Sequence, residues 1–384
     1  MSAMRIAHIG PASLPVGYTF GGAVERRMVE LAAAQVARGD EVLLVSMSPD
    51  GPRDPAAAVN AANGVAIHDV PCRTRRPLRD LELLARARGA LRRFAPDVVH
   101  VHNSAAGAVV LAGIPAAKVL TFDYFQYRGT ARPAVKAAYR RALQRFDLLL
   151  PVSEFCAREA AAWWDLPRDA FTVLPNGVNV EQFRPDEERR AAVRRKYDVD
   201  GDVVIGYVGR ICEQKGSDTL VEAFRSVKGR FARSTLLMAG PSDWFGTAGP
   251  TPTPLTDEIG RVGGRWLGPV PEDELADVFR SLDVCAMPTR QDEMFGMAAA
   301  EALSSGTPVV CSDQGGLPEV VPSTAGVLVP PGDAAELARV LLALCEDAEG
   351  RARFAAAAPE AARKFTWPAV ADQADRIYRE VTRR

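Results

Sequence analysis

The sequence predicts an α/β chain folded as two doubly wound domains with parallel sheets. Three observations carry that expectation. Apolar runs of strand length alternate with Ala/Arg-rich helical stretches. A highly charged segment divides this alternation into two series. The length of 384 residues exceeds one ordinary domain and fits two.

In the first series, residues 4–10, 41–46, 65–70, 97–102, 118–122, 147–152 and 171–174 read as strands, and stretches such as 24–38 and 79–94 read as the intervening helices. The charged segment 181–196 leads through Asp198-Val199-Asp200-Gly201 into the second series. Its strands are expected at 203–208, 234–238, 265–267, 283–287, 308–311 and 326–329. The domain boundary therefore falls near 178–202, giving an N-terminal domain over 1–180 and a C-terminal one over 200–366. Two such sheets offer ligands a cleft at the carboxyl ends of their strands.

Composition narrows the class of protein. With 47% hydrophobic and 25% charged residues, both domains can bury ordinary cores. Six scattered cysteines without a C-x-x-C pair argue against a zinc or disulfide framework and suit free thiols in a reducing cytoplasm. The longest apolar stretch, near 105–120, is interrupted by Pro115 and Lys118, and the N-terminus reads as a strand, so neither a membrane span nor a secretion leader is expected. A net charge of −1 hides an asymmetry, because residues 1–180 sum to +6 and residues 181–384 to −7. Much of the basic excess lies in Arg73, Arg75, Arg76, Arg79, Arg86, Arg88, Arg92 and Arg93. Those arginines read either as the solvated face of a helix or as a surface for anionic acceptors or a membrane. They lack the interleaved aromatics that stack on bases, and nucleic acid is not an expected partner.

The densest chemical signal is Glu293, Met294, Phe295, Gly296 and Met297, followed by Glu301. Here a strand and a polar turn lead into an apolar helix. The first amide N–H groups of such a helix lack internal partners and attract a phosphate, while a glycine lets a ligand approach the backbone closely. Glu301 leans back toward that end of the helix. Two carboxylates near a diphosphate are tolerated when they accept hydrogen bonds from sugar hydroxyls. Upstream, Gly209-Arg210 closes a buried-type strand, and Lys215 follows, so Arg210 and Lys215 supply the cationic charge such a diphosphate requires.

With these motifs, the chain resembles the family-4 retaining glycosyltransferases of the two-domain GT-B architecture along nearly its whole length. Further matching stretches are Gly21-Gly22, Asp97-Val-Val-His-Val-His102, Pro175-Asn-Gly177, Gly268-Pro-Val-Pro271, Ser305-Gly-Thr-Pro308 and Gly315-Gly-Leu-Pro-Glu319. The resemblance implies a nucleotide-sugar donor with UDP as the favoured carrier. Leu267 and Val270 would lie in the loop around the nucleobase. Met294, Phe295, Gly296 and Met297 would form the turn over the diphosphate, and Gly22 would face the donor phosphate. Glu293 would hold the transferred sugar and Glu301 the ribose. The final helix, 367–384, would return to the N-terminal domain. No cofactor is expected and no metal, since Arg210, Lys215 and helix-end amides already stabilise a diphosphate. Asp198-Val199-Asp200 reads as a turn rather than as a D-x-D metal motif.

The acceptor half departs from its relatives. Where many carry Thr-x-His, this chain has Thr121-Phe122-Asp123, so the contact made by that histidine is not carried over. Asp123 reads as a hydrogen-bond acceptor, a partner for a cationic amine or a turn cap. Tyr124, Phe125 and Tyr127 read as a sugar-stacking wall or as core. His102, at the end of its strand beside Asn103, reads as a polar wall of the cleft or as a satisfied structural histidine; His8 and His68 read as packing. The expected reaction is transfer of a hexose or amino-hexose to a hydroxyl of a small soluble acceptor, an aminocyclitol of an antibiotic pathway. A lipid or polysaccharide acceptor and a catalytically silent partner protein are the alternatives. Peripheral membrane contact is not expected, and oligomeric state is not legible.

Overall fold

The computed structural model describes residues 2–16, 23–48, 64–74, 78–122, 132–242 and 253–383. By internal contacts the chain divides into two units, Met1–Gly177 with Trp367–Arg384, and Val178–Thr366. The charged helix Glu187–Lys196, which reads as linker in the sequence, belongs to the second unit.

The first unit holds six parallel strands: β1 (Arg5–Ile9), β2 (Glu41–Met47), β3 (Ala66–Val70), β4 (Val98–His102), β5 (Ala117–Phe122) and β6 (Leu148–Pro151). They lie in the order β3-β2-β1-β4-β5-β6. Direction reverses between β1 and β4, where Ile6 pairs with Val98 and His8 with His100. Residues 171–174 do not make a seventh strand. Phe171 forms one bridge with Leu149, and the amides of Thr172 and Leu174 donate to the carbonyls of Leu149 and Pro151 at 3.0 and 2.9 Å.

The second unit repeats the plan with β7 (Val203–Val208), β8 (Ser234–Ala239), β9 (Arg265–Trp266), β10 (Val284–Met287), β11 (Val309–Ser312) and β12 (Gly326–Val329). Their order is β12-β11-β10-β7-β8-β9, so the reversal falls between β7 and β10. β7, β8, β10 and β11 are buried at every position. Helices cover both faces of a parallel sheet, which is why these strands read as continuous apolar runs. Helix starts follow local chemistry. Asp186, Thr253 and Asp333 accept hydrogen bonds from amides in the first turns of the helices that follow them. Pro254 also stands in the first turn of the helix Pro254–Arg261, where its missing N–H costs nothing.

The last helix, Trp367–Thr382, packs beside the helix Ala23–Ala37 and places Trp367, Val370, Ala374 and Tyr378 in the core of the first unit. Between these helices and the sheet lies a polar cluster. His8, His100 and His102 are fully buried. His8 meets His102 at 3.1 Å and Gln35 at 2.7 Å, while His100 meets the Tyr378 hydroxyl at 2.6 Å and the Thr121 hydroxyl at 2.5 Å. Arg27, also fully buried, donates to Asn176 and to the Leu174 carbonyl. Asn176 of the Pro175-Asn-Gly177 stretch is thus a structural acceptor.

Burial lowers the affinity of all three imidazoles for a proton, and the Arg27 guanidinium adds to the effect. His8 falls to about 4, and His100 and His102 fall well below the usual 6.5. Below pH 6.5 the unfolded chain takes up protons that the folded chain refuses. Stability is therefore fully present above about pH 6.5 and is lost as pH falls toward 4, by about 1.4 kcal/mol per pH unit for His8, and His100 and His102 steepen the loss in the same direction. Urea unfolding between pH 7.5 and 5 checks this, and a His102→Phe variant is expected to show a shallower slope.

Candidate active site

In an open α/β sheet, the loops leaving the strands at the reversal point diverge and leave a crevice at their carboxyl ends. In the second unit those loops follow β7 and β10, and they carry Arg210, Lys215 and Glu293. After β7, the Tyr207 hydroxyl donates to the Arg210 carbonyl at 2.9 Å, and a short 3-10 turn, Glu213–Lys215, follows. The carbonyl of Gln214 accepts the amides of Arg290 and Gln291 at 3.0 and 3.1 Å, joining this turn to the loop after β10. Gly216 has φ +69°, and a Cβ there would lie 1.8 Å from the Pro288 carbonyl oxygen. No other residue type allows this approach.

The Lys215 ammonium donates to Glu293 Oε1, and the two side chains are 24% and 20% exposed. Each is thus positioned by the other while still open to solvent. The Glu293 backbone is held from a third loop, the one after β11. Gly316 N donates to the Glu293 carbonyl at 2.6 Å, and a Cβ on Gly315 (φ +67°) would meet that carbonyl oxygen at 2.4 Å. Burial, reinforced by the nearby Glu293 carboxylate, pushes the Tyr207 phenol well above its usual range and keeps it protonated.

Gly296 caps the helix Met297–Ser304 in a left-handed conformation (φ +98°), and no side chain caps that end. Ala299 N and Ala300 N donate to the Gly296 carbonyl at 3.0 and 3.2 Å, which leaves at most the amides of Met297 and Ala298 for an external acceptor. Met294 and Met297 are half-buried, and Phe295 is buried edge-on against Phe365 at 5.1 Å. Glu301 is 3% exposed, and its charge, after burial, helps push the Cys285 thiol up to about 12. Leu267 and Val270, both half-buried, follow β9 on the same sheet edge, where Leu267 N donates to Met238 O and Gly240 N to Gly268 O, each at 2.8 Å.

The first unit treats its predicted residues differently. Gly22 and Asp123 lie outside the described residues, as do Tyr124, Phe125 and Tyr127. His102 has no exposed surface and bonds to His8, so it is not a wall of a ligand site. Its neighbour Asn103 takes φ +52° at the carboxyl end of β4, the kind of strain that collects at functional sites. The ring nitrogens of His8, His100 and His102 lie within 4.8 Å of one another. The cluster is nevertheless not shaped for a cation. His100 and His102 stack at 4.2 Å with 20° between ring planes, so their in-plane lone pairs run nearly parallel.

Sequence reasoning missed Arg290, which pairs with Asp218 at 2.7 Å and donates to the Thr219 hydroxyl at 2.8 Å, clamping the loop after β10 to the helix after β7. The available signal was a basic residue in the polar turn after a buried strand.

Comparison with known proteins places this geometry. The family described as glycosyl transferases group 1 matches residues 189–361, and the one described as glycosyltransferase family 4 matches residues 20–182. A D-inositol 3-phosphate glycosyltransferase of Saccharomonospora viridis is 30% identical across 98% of this chain and 93% of its own. The chain belongs to the family-4 glycosyltransferases. A phosphatidyl-myo-inositol mannosyltransferase of Mycobacterium leprae is also 30% identical, over 98% of this chain and 97% of its own. Among solved structures, a glycosyltransferase of Rickettsia africae superposes with a TM-score of 0.81 at 19% identity, covering 99% of both chains. Anabaena HepE in complex with UDP and glucose gives 0.76 at 19% identity, covering 97% of this chain and 99% of that one. These likenesses establish the GT-B fold for this glycosyltransferase.

Replacing Gly216 with Ala forces the β7 and β10 loops apart. The expected cost is about 3 kcal/mol, read as a lowered urea midpoint with an unchanged slope.

Proposed function

We propose that this glycosyltransferase moves a hexosyl group from a nucleoside diphosphate sugar, UDP-linked, to a hydroxyl of a phosphorylated inositol, with retention of anomeric configuration and without a metal ion. The observation that carries the donor half is the Lys215–Glu293 pair on loops pinned together at the reversal of a parallel sheet. It combines a cation for the diphosphate with a carboxylate for sugar hydroxyls, beside an uncapped helix end. UDP as carrier is favoured by the same fold in HepE, which is seen with UDP and glucose. The acceptor class follows the relatives that span nearly the whole chain, which act on D-inositol 3-phosphate and phosphatidyl-myo-inositol. An aminocyclitol shares their polyol ring and lacks their anionic group, and the basic first half of this chain suits the anion better.

In the reaction, the bond from the anomeric carbon to the β-phosphate oxygen breaks and a bond from that carbon to the acceptor oxygen forms on the same face. The acceptor proton passes to the departing phosphate. Lys215 and Arg210 stabilise charge that grows on the diphosphate, so their effect is greatest in the transition state. Glu293 and Glu301 accept hydrogen bonds from the sugar and the ribose.

Lys215→Ala is expected to lower turnover about a hundredfold to a thousandfold. Folding should hold, because a partly exposed ion pair contributes no more than about 1 kcal/mol. Thermal unfolding with UDP-, GDP- and dTDP-sugars, each with and without chelator, tests the donor. Stabilisation by UDP-sugars that survives chelator supports the reading, and stabilisation by no donor overturns it.

A further inference from the structure

The second unit holds a cavity of about 540 Å³ that contains neither Lys215 nor Glu293 in its lining. Asp283 and Pro308, which immediately precede β10 and β11, do line it, so it sits at the amino ends of strands whose carboxyl ends carry the candidate active site. The helix Met297–Ser304 separates the two places. Gly296 stands at its start, in the loop of Glu293, and Ser305 at its end, in the cavity, roughly 13 Å apart at 1.5 Å per residue.

One wall of the cavity is the helix Ala348–Ala362, which contributes Ala348, Ala352, Ala355, Ala356 and Pro359 at the spacing of a single helical face. Pro359 has no N–H, so the Ala355 carbonyl one turn earlier lacks its usual helical donor. The charged lining is Arg190, Arg280 and Arg351 with Asp186, Glu187 and Asp283. Most of these groups are already committed. Arg280 is spent on Asp277 at 2.5 Å and on the carbonyls of Arg184 and Gln182. Asp186 caps the helix Glu187–Lys196, and Glu187 is exposed, where solvent screens it. Asp283 is shared between Arg190 at 2.6 Å and Arg194 at 3.1 Å, and one carboxylate between two guanidiniums leaves positive charge at Arg190. Arg351 donates through a single nitrogen, to the Leu344 and Cys345 carbonyls, and among the described residues no carboxylate lies within ion-pair distance of it.

Ser305 also lines the cavity. It is 4% exposed, and its hydroxyl has no hydrogen-bond partner. Buried polar groups in folded proteins are paired, so an unpaired hydroxyl beside unbalanced guanidiniums points to an acceptor that a ligand brings. The volume suits an organic molecule and exceeds the needs of a bare ion.

We propose that this cavity is a second ligand site, for a phosphomonoester carried on a flat ring, a molecule of mononucleotide size. Arg190, Arg351 and the Ser305 hydroxyl take the phosphate, because guanidiniums match phosphate oxygens and two of them suit a dianion. The ring lies on the alanine wall, where the Ala355 carbonyl accepts a ring N–H. The site goes beyond the transfer reading and does not depend on it.

The test is calorimetry of the full chain with AMP, adenosine and inorganic phosphate, with UDP in excess to occupy the donor crevice. AMP is expected to bind at one per chain, about tenfold or more tightly than either fragment, and less tightly as salt rises. Arg351→Gln is expected to weaken it about tenfold or more. Because Arg351 also closes the helix Ala334–Glu346, a second variant keeps the test decisive. Ala356→Trp, at an exposed position of the wall, fills the cavity and is expected to abolish AMP binding at an unchanged melting temperature. No AMP binding, or AMP binding that both variants retain, overturns the proposal. So does inorganic phosphate bound as tightly as AMP, since the alanine wall would then hold nothing. None of these readouts requires turnover, so their failure leaves the transfer reading standing, and a chain without transferase activity still reports on the cavity.

Discussion

The contact of Gly216 with the carbonyl of Pro288 is the constraint on which the proposed donor site depends. β7 and β10 are neighbours in the sheet, yet their chains run on in opposite directions, so the loops that leave them would ordinarily separate. A backbone approach without a Cβ, the Gln214 carbonyl shared by two amides and the Arg290–Asp218 pair hold the loops together just above the strands. Lys215 and Glu293 belong to those loops, and their ion pair expresses that closeness. The loop after β11 adds a third fixed point through Gly315 and Gly316, so the Glu293 carboxylate is placed by backbone contacts and not by its own side-chain freedom.

The two units use polar groups in opposite ways. In the second, charged side chains gather at the sheet edge, partly exposed and available to a ligand. In the first, His8, His100, His102 and Arg27 sit in the interior, where the last helix and the helix Ala23–Ala37 cover them. Imidazoles in that position accept and donate within the protein and have no surface to offer a substrate. The first unit presents to solvent an apolar groove lined by Leu81, Val109 and Val135.

The strands were legible because parallel strands buried on both faces read as unbroken apolar runs. The exception, residues 171–174, fails because Phe171 forms a single bridge at the edge of the sheet, beside Leu149 of β6. The residues proposed for the donor were legible as types placed just after strands. Their pairing was not, because Lys215 and Glu293 are 78 residues apart and meet only through the reversal of strand order. The burial of His102 was equally hidden. Two-residue alternation puts His100 and His102 on one face of β4 but does not say that Tyr378 and Gln35 close over that face. The helix Pro133–Leu143 shows the limit of periodicity, since Ala134, Ala137 and Ala138 suit a buried face and lie exposed.

Placement of a diphosphate against Lys215 is the central claim. Its most direct measurement compares UDP with UMP binding by calorimetry in the native chain and in Lys215→Met. The account predicts that the native chain prefers UDP by about tenfold or more and that the variant loses most of that preference while binding UMP as before. An undiminished preference in the variant would contradict it and place the diphosphate elsewhere on the second unit.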